Sequence, residues 1–153
     1  MRKAVLSSKF LVRSLELERG REEESGMSIG FRDLVVWQKS MQLAVSVYEL
    51  TKQFPREELY GLTSQVRRSA VSIPSNIAEG QGRANPGEFR QFIAIARGSN
   101  CELETQLELA STLKFGDPAM IGAAQQLSDE VRKMLYGPYS SLDSKSKQAR
   151  TAN

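Results

Sequence analysis

The stretch EELYGLTSQVRRSAVSIPSNIAEGQG, residues 57–82, decides the fold. Leu59, Leu62, Val66, Ala70, Ile73 and Ile77 recur at steps of three or four, which gathers them on one stripe of a helix and leaves the polar residues on the other faces. A strand would need alternation by two. Pro74 falls inside the pattern, where it removes the hydrogen bond to the Ala70 carbonyl, so a bend is expected there. Ser72, Ser75, Asn76 and Glu79 cluster around it, and Gly80-Gln81-Gly82 is the expected end, with glycine in the left-handed conformation.

Working outward, three more helices are expected. The first covers residues 31–53, with Phe31, Leu34, Trp37 or Gln38, Met41, Ala44/Val45 and Tyr48 in register, and ends before Phe54-Pro55. The third, residues 86–113, starts at a capping box of Asn85, Pro86 and Glu88. Its inner stripe is Phe89, Phe92/Ile93, Ala96, Leu103, Leu107 and Ala110, and Gly98-Ser99-Asn100 leaves room for another backbone. Phe115-Gly116 ends it. The fourth, residues 118–136, starts at Asp117-Pro118 and carries Ile121, Ala124, Leu127, Val131 and Met134/Leu135 up to Gly137-Pro138. Four amphipathic helices with short connections predict an all-α, antiparallel up-down-up-down four-helix bundle over residues 27–137.

Either side of it, residues 1–26 read as a mobile extension or as sequence preceding a true start at Met27, and residues 138–153 as a disordered polar tail. No apolar run approaches the roughly 18 residues of a membrane span, and Met-Arg-Lys at the start leads into no signal-peptide hydrophobic region. One cysteine, Cys101, makes no internal disulfide, and a cytoplasmic location is expected.

The net charge is +3, and its distribution matters more than its sum. Residues 1–26 carry six basic and five acidic groups, residues 27–136 twelve of each, and residues 137–153 three and one. The bundle is therefore neutral, which weakens the simplest argument for binding a phosphate backbone.

No histidine is present, which removes the commonest general base and zinc ligand, and one cysteine builds no thiolate cluster. No catalytic residue, metal or cofactor is expected. Gly80-Gln-Gly-Arg has neither the lysine nor the preceding strand of a phosphate loop. Cys101 lacks a base and reads as a small packing residue; Trp37 and Tyr48 read as packing or interface residues. The signature polar cluster Ser72, Ser75, Asn76 and Glu79 is the one candidate site. Glu79 near a helix C-terminus opposes the macrodipole, so a compensating cation is expected. In a hairpin where facing residue numbers sum to about 169, Arg90 comes level with Glu79 and Glu102 with Arg67, so ion pairs setting the register are favoured. Arg67, Arg68, Arg83, Arg90 and Arg97 suit a nucleic-acid groove, a subunit interface opposite Glu102, Glu104 and Glu108, or a solvated face.

The run SQVRRSAVSIPSNIAEG, residues 64–80, resembles the signature of the bacterial four-helix-bundle proteins found as open reading frames in intervening sequences of 23S ribosomal RNA genes. Phe31-x-Asp33-Leu34 with Trp37, Glu58-x-Tyr60-Gly61-Leu62, Ala96-Arg97-Gly98-Ser99 and Glu102-Leu103-Glu104-Thr105-Gln106-Leu107 agree with it, over residues 29–135. The resemblance implies the same bundle and self-association into ring-like homopentamers. A related branch, the accessory protein of diversity-generating retroelements, associates with a reverse transcriptase and nucleic acid. The resemblance thus points to a non-enzymatic scaffold or adaptor with RNA, DNA or a reverse transcriptase as partner, and the alternative is a purely structural self-assembling protein.

Overall fold

In the computed structural model, which describes the backbone of residues 30–151 other than residue 84 and the side chains as far as residue 137, the decisive stretch forms α2, Leu62–Gly82. Val66, Ala70, Ile73 and Ile77 are fully buried on it. Each such valine or isoleucine contributes about 1.5–3 kcal/mol relative to exposure. Leu59 departs from the expected stripe: residues Arg56–Glu58 form a single 3-10 turn, and Leu59 lies exposed in the connection beyond it. Pro74 is buried within α2, and the helix runs through it without interruption.

Helix α1 is Val35–Thr51, preceded by a 3-10 turn at Phe31–Asp33; α3 is Pro86–Thr112 and α4 is Pro118–Thr151. α1 packs on α2 and α4, and α3 on α2 and α4, so α1 and α3 stand at opposite corners of an up-down-up-down four-helix bundle. No strand occurs among the described residues. The expectations for residues 1–26 lie outside them.

The face of α1 is the main correction. Its buried side is Ser40, Leu43, Ala44, Val47, Leu50 and Thr51, whereas Met41 and Tyr48, expected in the core, are exposed; of the expected Ala44/Val45 position Ala44 is buried and Val45 exposed. α1 carries apolar residues on two faces, and periodicity alone does not say which of two apolar faces is covered. Trp37 is partly buried against the core, with Phe31 edge-on at 5.3 Å.

The helix ends also differ. Among the described residues the left-handed positions are Lys114 (φ 59°) and Gly116 (φ 74°), not the glycines that close α2. Phe115 N–H bonds the Ala110 carbonyl and Lys114 N–H bonds that of Ser111, a Schellman arrangement with lysine at the strained position. Gly80 is a packing residue instead: a Cβ there would stand 2.7 Å from the Phe92 Cβ. The close approach expected around Gly98 is therefore at Gly80, since a Cβ on Gly98 meets nothing within 4 Å. α4 does not stop at Gly137-Pro138. A proline costs one hydrogen bond and steric room in a helix without forbidding it, and residues 139–151 contain no further proline or glycine.

Candidate functional site

The signature polar cluster closes on itself. Pro74 has no N–H for the Ala70 carbonyl, and around it side chains bond back to the turn before: Ser75 Oγ donates to the Val71 carbonyl at 2.8 Å, and Asn76 Nδ2 to that of Ser72 at 2.7 Å. Asn76 also donates to Ser72 Oγ at 3.0 Å, which in turn shares a proton with Ser99 Oγ at 2.8 Å on α3. Glu79 finds its cation on its own helix: Arg83 Nη2 donates to it at 2.8 Å. That bond and the carboxylate charge push the Arg83 guanidinium further up from an already high value. These residues stitch α2 to α3 and present no converging reactive groups.

The expected inter-helix ion pairs do not form. Ser69 Oγ donates to Glu102 at 3.2 Å and Ser72 meets Ser99, so facing residue numbers sum to 171, two more than expected. A two-residue offset in a 3.6-residue period turns a side chain to a different face. Arg90 accordingly bonds only the Pro86 carbonyl through Nε at 3.4 Å, and Arg67 turns away from Glu102 towards α1.

The five arginines occupy separate environments. Arg67 Nε donates to Thr51 Oγ1 at 2.8 Å, and its guanidinium lies 4.8 Å from the centre of the Tyr48 ring. Arg68 beside it is exposed and makes no ion pair among the described residues. Arg83 serves Glu79 and approaches Glu88 at 4.0 Å, which leaves the Asn85 cap with its own bonds to the N–H groups of Gly87 and Glu88 but without the return half of a capping box. Arg97 stands 3.7 Å over the Tyr136 ring on α4. Arg67 and Arg83, sixteen residues apart on α2, are separated by about 24 Å. The set is no single patch. Arg67 and Arg68 line a common feature, an open groove bounded by Tyr48 of α1, Leu59 and Tyr60 of the connection, and Val71 of α2.

A second polar cluster is buried between α3 and α4. Asn100 Nδ2 donates to the Ser128 carbonyl and Ser128 Oγ returns a bond to Asn100 Oδ1 at 3.1 Å, both residues almost fully buried. Asn100 also donates to Glu104, which stands 3.6 Å from Arg132. Lys133 and Arg132 both grip Asp129, and these two bonds hold its carboxyl below the usual carboxylate range against a small opposing effect of burial. Lys39 pairs with Glu130 at 2.9 Å and ties α1 to α4. Sequence reasoning missed Asn100 and Ser128. The signal was present, since each occupies a stripe position, one between Ala96 and Leu103 and the other between Ala124 and Val131.

Cys101, expected to pack, is an exposed free thiol. Among the described residues no group of three or more Cys, Asp or Glu side chains converges as a metal site, and no helix is long and apolar enough to cross a membrane.

The 23S rRNA-intervening sequence protein family matches residues 32–137. A crystal structure at 1.70 Å of a protein of unknown function from the S23 ribosomal protein family of Bacteroides thetaiotaomicron VPI-5482 is similar in fold, with a TM-score of 0.64 and 27% identity over 69% of this chain and 98% of that one. No curated protein matches the sequence.

Proposed function

Because the chain belongs to the 23S rRNA-intervening sequence protein family, we propose that it is a non-enzymatic, homo-oligomeric four-helix scaffold or adaptor that presents its bundle to RNA, DNA or a nucleic-acid enzyme such as a reverse transcriptase. The observation that carries self-association is the apolar surface left outside a core that is already closed. Tyr60 is 94% exposed, Val45 60%, and Leu59, Ile95, Leu109 and Leu113 about half. Single exposed apolar residues are ordinary, but Tyr48, Leu59, Tyr60 and Val71 line one groove between α1 and α2, and such clusters mark interaction surfaces. Support for a polyanionic partner is Arg90, which makes no ion pair among the described residues. The absence of histidine from the sequence and the internally satisfied signature cluster favour a binding role over a catalytic one.

Native mass spectrometry of the full chain, with and without a labelled structured RNA and a labelled duplex DNA, tests both halves. An oligomer that takes up nucleic acid with a log–log salt slope of several contacts, at about −0.9 per phosphate on duplex DNA, supports the whole reading. An oligomer that takes up neither at low salt leaves the purely structural self-assembling protein. A monomer removes the scaffold.

A further inference from the structure

The exposed groove and the exposed face of α3 are complementary in charge, length and height. The groove holds two guanidinium groups and no carboxylate. Arg67 is already posed: Nε is held by Thr51, the guanidinium lies over the Tyr48 ring, and among the described residues its two Nη groups make no ion pair, so they are donors available to a carboxylate entering the groove. Arg68 adds a second charge, and Leu59, Tyr60 and Val71 supply apolar walls. An apolar helix carrying carboxylates matches both the walls and the charges.

The second half of α3 offers that helix. Glu102, Glu108, Leu109 and Leu113 are exposed along it, and among the described residues the two carboxylates receive only neutral donors, Ser69 Oγ and Gln125 Nε2. The Ser69–Glu102 and Ser72–Ser99 contacts place residues 59–72 of one side at the same height as residues 99–112 of the other. Their helical parts, residues 62–72 and 99–109, are each about 16 Å long at about 1.5 Å per residue. α1 and α3 are at opposite corners of the bundle, so the groove and the ridge face different directions.

We propose that the α1/α2 groove receives the Glu102–Leu113 ridge of α3 from a second copy of this chain, with Arg67 and Arg68 gripping Glu102 and Glu108. This assignment rests on the homo-oligomeric reading above. The neighbour's α3 lies antiparallel to α2 and parallel to α1. Two different surfaces at one height are related by rotation about an axis parallel to the bundle, which is a head-to-tail contact that closes into a ring rather than a two-fold dimer.

The test compares masses by light scattering for the full chain, Arg68→Glu, Glu108→Arg and the double variant, each checked for helicity by circular dichroism. Both positions are exposed and neither side chain holds the core, so all four proteins fold. Each single variant sets like charges against each other across the contact and weakens association by at least about tenfold. The double variant restores opposite charges and regains the parent mass. A monomeric parent protein overturns the oligomeric reading itself. An oligomeric parent whose single variants keep its mass overturns this interface alone, and single variants that dissociate without rescue in the double variant overturn the pairing of groove with ridge.

Discussion

Gly80→Ala sets two effects of known size against each other. In a helix interior alanine is favoured over glycine by about 0.8–1.0 kcal/mol, so the substitution would stabilise an isolated α2. In this bundle the new Cβ falls 2.7 Å from the Phe92 Cβ and 3.1 Å from Phe89 Cδ2. Ordinary contact begins near 3.4 Å, so the gap must open by about 0.7 Å, and the Phe92 Cβ is fixed to backbone and does not rotate away. Overpacking of this kind costs about 1–3 kcal/mol. The net expectation is a loss of about 1 kcal/mol, roughly 4 °C in melting temperature for a domain of this size. Gly122→Ala on α4 is the control, because nothing lies within 4 Å of its Cβ, and it gains the full propensity term. Denaturant unfolding followed by circular dichroism, at one fixed protein concentration, separates the two by about 2 kcal/mol. Equal stabilisation by both substitutions would refute the close approach of α2 to α3 at Gly80.

Three further outcomes follow from the same structure. Asn100→Ala strips Ser128 of its buried partner and is expected to cost about 1–3 kcal/mol, with a double-mutant cycle against Ser128→Ala showing non-additivity; additive losses would mean the pair is not coupled. Lys114→Gly relieves a left-handed lysine and raises stability by about 1 kcal/mol in chemical unfolding, whereas an unchanged midpoint would mean the position carries no strain. The Asp129 carboxyl is held below its usual range, so the native chain binds that proton more weakly than the unfolded chain. Its contribution is present above about pH 4 and drains away as pH falls through the lower native value, and melting curves of Asp129→Asn should lose that part of the acid dependence.

The elements were legible where the chain punctuates itself. Asn85-Pro86 and Asp117-Pro118 gave the starts of α3 and α4 to the residue, because a cap acceptor followed by a residue without an N–H has few other uses. The inner stripe of α3 was also readable, since one face is apolar and the others are not. α1 was not, because Leu43, Val47 and Leu50 compete with Met41, Val45 and Tyr48 for the core, and only packing decides between two apolar faces. The losing face, Met41, Val45 and Tyr48, is left exposed. The end of α2 was misread because Gly80 looks like a stop signal locally, and its reason for being glycine lies in Phe92, twelve residues away on another helix. For the arginines the chain gave identity without partners. Arg83 pairs with Glu79 and Arg67 is held through Nε by Thr51 and over Tyr48, and a two-residue change of register decided that.

The ring contact proposed above requires a closed assembly. Sedimentation velocity of the full chain over a wide concentration range tests it most directly. A closed ring gives one dominant species at a fixed small multiple of 17.1 kDa, unchanged on dilution well below micromolar. A 17.1 kDa monomer at every concentration, or a series of species that keeps growing as concentration rises, would contradict it.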